Sequence, residues 1–434
     1  MLYSRLSMPI MALAATLTLV AVRATPAAAQ TDGKSEISEL RKIIEDQQKL
    51  IQQLKERVEA LESGRTKEEP SDELPPAEIP ATPFERASGG AAFMPDLAVI
   101  GNHRGTFFVP RGYDGRNRFE LGELEIALQQ PLYTGMSFFA TLAAGSDAGF
   151  GLGIEEAYAS LSRPFKAPFD AVIGKRRLQF GKLNPLHPHA WRHVDQPAPI
   201  AAFLGEEGLF GNGSSINYTL PIANLFANVE VGLWGSAEAH AHAEEDHDDD
   251  EGHHHHAHPG VGIVGDMPAA RVWLSRALGS STEIEIGGSH AFGKADNGDN
   301  IRLTGADFTY RTYPSAFSRL QLQAEAFWHN RRDREEGTGS HTRSGHYVLL
   351  SYAPDKYYEY GIRYDNTRYP WPIEGREQSL SLIATQRLTE ATLARLQLKL
   401  GDRTSDIYLP ARKGFTEVFL QFIWGAGSHK HPLQ

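Results

Sequence analysis

From Met94 to its end the chain is written in a two-residue rhythm. In one segment Leu225, Ala227, Val229, Val231 and Leu233 are apolar, with Asn228, Glu230 and Gly232 between them. Leu320, Leu322, Ala324, Ala326 and Trp328 alternate with Gln321, Gln323, Glu325 and His329. Leu396, Leu398 and Leu400 alternate with Arg395, Gln397 and Lys399, and Val418, Leu420, Phe422 and Trp424 with Glu417 and Gln421. A period of two is the period of a strand, because successive side chains point to opposite faces. The sequence carries about 16 such segments, near 95–108, 117–129, 134–145, 151–162, 169–178, 214–221, 224–236, 266–277, 281–292, 300–312, 318–330, 344–354, 356–366, 376–387, 391–403 and 414–425. Each is about ten residues long, enough for a tilted strand to cross a bilayer. Their connections alternate. Tight turns are expected at Gln130-Pro131-Leu132, Pro221-Ile222-Ala223, Leu278-Gly279-Ser280, Ala353-Pro354-Asp355 and Leu388-Thr389-Glu390. Long polar connections fall at 179–213, 237–265, 331–343 and 404–413. A two-layer sandwich also alternates apolar with polar, but it has no reason to keep this parity of loops. The pattern predicts an all-β fold, a transmembrane antiparallel β-barrel of about 16 strands with short turns on the periplasmic side and long loops outside.

The composition agrees. Apolar residues make up 41% of the 434 residues and charged residues 22%, and no run of about 18 uncharged apolar residues follows the N-terminal stretch. A barrel hides its apolar surface in alternate positions, so its average looks soluble. There is no cysteine, so stability cannot come from disulfides. A net charge of −11 argues against a nucleic-acid partner. Tyr357, Tyr358, Tyr360, Tyr364, Tyr369 and Trp371 fall near strand ends, where interfacial aromatic girdles are expected.

The N-terminal part has three pieces. Residues 1–29 read as a secretory signal peptide: Arg5, then an apolar stretch from Pro9 to Val22, then Ala27-Ala28-Ala29. Residues 30–62 hold Ile37, Leu40, Ile44, Gln47, Ile51, Leu54, Val58 and Leu61 at alternating steps of three and four, the repeat of an α-helical coiled coil and therefore of an oligomer. Residues 63–93 form a linker rich in proline (Pro70, Pro75, Pro76, Pro80, Pro83), extended and semi-stiff. The barrel is expected over 94–434.

Two segments carry side chains with site chemistry. The tract 238–258 interleaves His240, His242, His247, His253, His254, His255, His256 and His258 with acidic residues that include Asp248, Asp249 and Asp250. Imidazole and carboxylate are ligands of Zn²⁺, and imidazole also suits Ni²⁺ and Cu²⁺. Adjacent histidines cannot all reach one ion, so the tract reads as several interchanging sites on a long external loop. The second segment, 174–199, opens the longest connection between strands and holds Lys175, Arg176, Arg177, Lys182, His187, His189, Arg192, His193 and Asp195. A loop of this length is expected to fold inward and narrow the lumen, where rings of charge set ion selectivity. The spacing of His187, His189 and His193 would also allow a shared metal, though prolines stand beside them. The tail adds His429 and His431. No G-x-S-x-G elbow, P-loop or H-E-x-x-H is present, so no enzymatic activity and no required cofactor are expected.

A signal peptide, a heptad segment, a Pro-rich linker and a barrel of about 16 strands together resemble the phosphate-selective porin O and P group. Within it the chain is most similar to zinc-regulated outer-membrane porins with a His/Asp-rich external loop. Gly174-Lys175-Arg176-Arg177, Phe180-Gly181-Lys182-Leu183-Asn184, His187-x-His189, the His tract and Gly427-Ser428-His429-Lys430-His431 carry the likeness. It implies a homotrimer of water-filled pores in outer-membrane lipid, a periplasmic coiled coil, and passive diffusion induced when zinc is scarce. The chain departs from phosphate porins in one respect. Their dense Lys/Arg ladder is replaced by Glu230, Glu325, Glu359 and Glu417 beside Arg363, Arg395 and Lys399, which speaks against phosphate selectivity. The expected function is a porin for small solutes or ions whose external loop gathers Zn²⁺ or a similar divalent metal. The alternatives are an anion-selective porin and a non-conducting structural or adhesive barrel.

Overall fold

The alternating apolar pattern closes on itself. A computed structural model describes Lys49 and residues 95–108, 118–145, 152–236, 262–332, 339–371, 373–404 and 411–427. The signal-peptide, coiled-coil and linker expectations, the tract 238–258, and His429 and His431 lie outside the described residues. Sixteen strands form one closed antiparallel barrel: β1 (Asp96–Phe107), β2 (Arg118–Tyr133), β3 (Met136–Gly145), β4 (Leu152–Leu161), β5 (Asp170–Arg177), β6 (Phe210–Ile222), β7 (Leu225–Ser236), β8 (Asp266–Ala277), β9 (Thr282–Lys294), β10 (Asn300–Thr312), β11 (Arg319–Arg332), β12 (Ser340–Ala353), β13 (Tyr358–Arg368), β14 (Arg376–Thr389), β15 (Thr392–Arg403) and β16 (Arg412–Gly427). Each strand pairs with its sequence neighbour, and β1 pairs with β16 in the register Gly101↔Trp424 and His103↔Phe422. Closure leaves no row of unpaired backbone groups, the condition for strands to stand in hydrocarbon.

The faces sort as the period demands. Along β14, Glu377, Ser379, Ser381, Ile383 and Thr385 are buried inside, while Leu380, Leu382, Ala384 and Leu388 are exposed outside. Along β13, Glu359, Arg363, Asp365 and Thr367 face in, and Tyr358, Tyr360, Ile362 and Tyr364 face out. The inward set is polar and the outward set apolar, the reverse of a water-soluble barrel. Tyr369 departs from the expected girdle. It is buried, keeping the inward parity of Asp365 and Thr367, and its hydroxyl donates to Glu377 at 3.3 Å.

Two turns lie further along than the prolines implied. Pro131 and Pro221 sit inside β2 and β6, and the chain reverses at Thr134-Gly135 and Ala223-Asn224. A two-residue hairpin needs left-handed backbone, and Gly135 (φ 78°) and Asn224 (φ 60°) supply it. Proline marks the last strand residues, where the ladder no longer needs its N–H. β6 also starts four residues earlier than its alternation indicated, at Phe210.

The connection between β5 and β6 turns into the barrel. Its residues Leu178, Phe180, Leu183, Trp191, Ile200, Phe203 and Leu204 bury with inward side chains of distant strands, among them Leu303 on β10, Phe327 on β11, and Tyr347 and Leu349 on β12. A short helix, α1 (Ala198–Leu204), is buried along its whole length against β11, β12 and β13. Each large apolar side chain removed from water contributes about 1.5–3 kcal/mol, which offsets the cost of ordering so long a loop. Gly181 is required where the loop meets β11. It stands at φ 67°, and a Cβ there would fall on the Glu325 carboxylate.

Leu382 lies midway along β14 and faces outward. Leu382→Arg should lower unfolding stability in lipid by about 2–4 kcal/mol, and Leu388→Arg near the turn by about 0–1 kcal/mol. Guanidine unfolding in liposomes, read by the heat-dependent gel mobility of folded barrels, measures both. Equal losses at the two positions would contradict the placement of the apolar band.

A candidate constriction site in the lumen

Two strands and the inward loop build a cluster of carboxylates around a buried imidazole. On β2, Glu123 and Glu125 are two apart and share the inner face. On β4 the register shifts: Glu156 pairs with Thr141 and Ile154 with Leu142, so Glu155 is an extra residue in a bulge. A bulge re-aims its side chain, and here two consecutive carboxylates reach the same imidazole. His187 Nδ1 is 3.0 Å from Glu155 Oε2 and 3.3 Å from Glu125 Oε2, and its Nε2 is 2.9 Å from Glu156 Oε2. His189 follows on a 3₁₀ turn, Pro188–Ala190, and its ring stacks on that of His187 with 5.8 Å between centroids. His189 Nδ1 lies 3.1 Å from Glu125 Oε2. Arg177 closes the cluster: its backbone N–H donates to Glu156 Oε1 at 2.8 Å and its guanidinium lies 3.7 Å from Glu155. Burial works against the charged imidazole of His187, but hydrogen bonds to Glu155 and Glu156 and the charge of Glu125 outweigh it and push its pKa up to about 10.

A second anchor lies further along the loop. The Asp195 carboxylate accepts from Arg363 Nη2 at 2.6 Å, Gln397 Nε2 at 2.5 Å and Lys399 Nζ at 3.0 Å, and its backbone carbonyl accepts from Arg363 Nη1 at 2.9 Å. Burial raises the pKa of this carboxyl, yet Arg363 and Lys399 hold it well below the usual carboxylate range. His193 Nδ1 donates to the Asp195 carbonyl at 2.8 Å, and burial together with the charge of Arg363 keeps this imidazole neutral. A third anchor is Glu325, which accepts from the backbone N–H groups of Lys182 (2.7 Å) and Leu183 (3.0 Å) and from the Tyr347 hydroxyl (2.6 Å).

The nine residues expected at the constriction thus separate. Arg177, His187 and His189 meet at the carboxylate cluster. Lys182 pairs with Glu285, Arg192 stands 3.7 Å from Glu359, and His193 and Asp195 form the second anchor. Arg176 faces in, 3.6 Å from Glu230. Lys175 does not belong. It alternates to the outer side of β5 beside exposed Ile173, and its Nζ donates to the Ile154 carbonyl at 2.7 Å. His193 does not join His187 and His189, since it turns to Asp195 and packs on Trp191 at 5.5 Å. The sequence reading missed Glu123, Glu125, Glu155 and Glu156. The i, i+2 spacing of the first pair was a usable sign, whereas the bulge that recruits Glu155 had none.

The described residues line open space on two sides of the loop. One space, about 390 Å³, is lined by Arg104, Glu123, Trp191, Asp195, Lys399 and Arg403 and lies toward the strand ends that carry the long connections. The other, about 410 Å³, is lined by Phe139, Glu156, Tyr158, Ser160, Arg176 and Arg177 and lies toward the tight turns. Glu123 borders the first and Glu156 the second, so the carboxylate–imidazole cluster stands between them.

No family model matches the chain. It is 25% identical over 398 residues to an uncharacterized protein of Aquifex aeolicus, covering 79% of this chain and 80% of that one. Among solved structures it is similar to a loop-deletion mutant of OmpT, an outer membrane protein of Vibrio cholerae, with TM-score 0.50 and 8% identity over 77% of this chain and 99% of that one. It is also similar to an anion-selective porin from Comamonas acidovorans (TM-score 0.48, 13% identity, 76% and 98% covered) and to the outer membrane channel DcaP of Acinetobacter baumannii (0.49, 10%, 76% and 97%). The first of these likenesses supports the barrel fold, and at such identity it speaks to fold alone.

Asp195→Asn removes the charge that Arg363 and Lys399 share and should destabilise the folded loop by about 3 kcal/mol. Faster proteolysis within 178–209, with the barrel still folded, would show it. The pKa of His187 is raised on folding, so its contribution is fully present below its ordinary value near 6.5 and is lost as pH rises through about 10. Trp191 fluorescence in detergent should report loop release over that alkaline range. His187→Gln should abolish the step, and an unchanged transition in that variant would remove His187 from the account.

Proposed function

We propose that this chain is a porin of the outer membrane of a Gram-negative-type bacterium, giving passive passage to small solutes or ions. One observation carries the reading: sixteen closed strands turn apolar residues outward and charged ones inward, and a 32-residue connection (178–209) lies folded in the lumen. An apolar exterior suits outer-membrane lipid, and a charged interior suits water and dissolved ions. The named outer-membrane neighbours fit this reading. In the same proposal residues 1–29 are the export signal, the heptads of 30–62 and the barrel hold a homotrimer, and the tract 238–258 gathers Zn²⁺ or a similar divalent ion. The ends of β7 and β8 that flank this tract stand at the same rim as the ends of β5 and β6, which supports its place at the outer mouth.

The lumen favours a mixed rather than a phosphate-type passage. Arg363 pairs with Asp365 and Asp195, Lys399 with Glu377 and Asp195, and Arg403 with Glu377 and Glu417. Glu359 is shared by Arg319 at 3.1 Å and Arg387 at 2.9 Å. Cations answered by neighbouring acids do not form a ladder for a free anion.

Purified protein in planar bilayers should give stepwise currents in multiples of three. A silent barrel would favour a structural or adhesive role, and a reversal potential set by chloride in asymmetric KCl would favour an anion-selective pore. Deleting 238–258 should leave conductance in place and lower the zinc bound per chain. Unchanged zinc binding and unchanged growth under zinc limitation would end the metal-gathering part of the proposal.

A further inference from the structure

We infer that Glu123, Glu125, Glu155 and His187 form a binding site for a divalent metal ion inside the barrel, separate from the histidine tract. The inference deepens the porin reading, because it puts an ion site on the proposed route between the two lumenal spaces. One ligand atom from each of the four residues lies within 4.8 Å of the others. Metal–ligand bonds of about 2.0–2.2 Å set ligand atoms roughly 3–3.5 Å apart, so a modest inward movement of carboxylates would complete a coordination shell.

Three further observations point to an ion. First, the orientation of the imidazole is fixed from behind. Glu156 Oε2 stands 2.9 Å from Nε2 and is itself held by the Arg177 N–H, while Nδ1 faces Glu125 and Glu155. A carboxylate that fixes one nitrogen of a histidine and frees the other for a metal is the usual outer-shell arrangement. Second, among the described residues acidic groups outnumber basic ones at this point. Glu123, Glu125, Glu155 and Glu156 converge where Arg177 is the fixed cation, and a divalent ion replacing the Nδ1 proton would make up most of the deficit. Third, Oε1 of Glu123 is sealed from solvent and receives no hydrogen bond from the described residues, at the border of the outer space. A buried carboxylate oxygen left without a donor is costly, and a metal ion would satisfy it.

The donor set selects the class of ion. Three carboxylates and one imidazole suit borderline divalent cations such as Zn²⁺, Mn²⁺ or Fe²⁺. Ca²⁺ asks for six to eight oxygens and Mg²⁺ keeps several waters, so both fit less well. The scaffold is firm: two neighbouring regions of the barrel wall supply the carboxylates, and a loop held at Asp195 and Glu325 supplies the imidazole. An ion held there would change the local charge from negative toward neutral and obstruct the route.

The test uses the full chain lacking 238–258, so that the external tract contributes nothing, with ZnCl₂ as the probe. Calorimetry should find one equivalent of Zn²⁺ per chain. Glu155→Gln and His187→Gln should each weaken binding at least tenfold, whereas His290→Gln on the outer face should not. Glu155 sits partly exposed in its bulge, so Glu155→Gln keeps the test alive if His187→Gln fails to fold, as gel mobility would show. Micromolar Zn²⁺ should also reduce single-channel current in the deletion protein and not in Glu155→Gln. A conducting deletion protein that binds no zinc would overturn the site and leave the porin reading standing. Equal binding by Glu155→Gln and His187→Gln would overturn it too. Zinc bound with the tenfold loss in a barrel that never conducts would support the site and overturn the porin reading.

Discussion

The seam between β1 and β16 is the condition for everything else in this molecule. Strands exposed to hydrocarbon cannot leave backbone N–H and C=O groups unpaired, and the last strand can satisfy its outer edge only on the first. The side chains at the seam are arranged for that approach. Gly101 has no Cβ, and the Trp424 indole occupies the space a side chain would take; its Nε1 donates to His103 Nε2 at 3.2 Å. On the inner face, Gln421 Nε2 donates to Asn102 Oδ1 at 3.0 Å, and Gln421 Oε1 accepts from Arg395 Nη1 at 2.6 Å. One seam therefore joins the outer aromatic surface to the inner polar network.

Closure at sixteen strands creates a second demand. Eight strands make a ring that side chains alone can fill, but sixteen leave a lumen too wide for that. The loop 178–209 occupies part of the space, and it does so by three different chemistries. Its apolar residues cover the wall from β10 to β12, Glu325 binds its backbone N–H groups, and Arg363 with Lys399 binds Asp195. The remaining space lies beside β1–β5 and β14–β16. The loop thus decides which inner residues face open solvent and which are packed.

Much of this was legible in the chain because a single rule, period two with one apolar face, governs each strand independently of its partners. Leu380, Leu382 and Ala384 could be placed outward without knowing what lay beside them. The errors occurred where a second effect competed with that rule. Pro131 and Pro221 read as turns, although the chain reverses at Gly135 and Asn224, four and three residues further on. Lys175 looked like part of a basic constriction motif, but its parity with Ile173 turns it outward. Tyr369 looks interfacial by composition but shares the inward parity of Asp365 and Thr367. Glu155 was unreadable, since a bulge depends on the register between β3 and β4, which no single segment contains.

The bulge also explains why the acidic cluster is where it is. Strict alternation would give β4 one inward carboxylate at this level, Glu156, and would turn Glu155 toward lipid, an expensive place for a charge. The extra residue brings Glu155 to the imidazole side and adds it to the two carboxylates on β2. Concentrating like charges in this way is unfavourable unless something positive is held among them. The loop delivers that partner in His187, a residue that can carry either a proton or a metal ion, whereas the other two anchors meet permanent cations or backbone N–H groups. At this point the loop is fixed through a group whose charge can be exchanged.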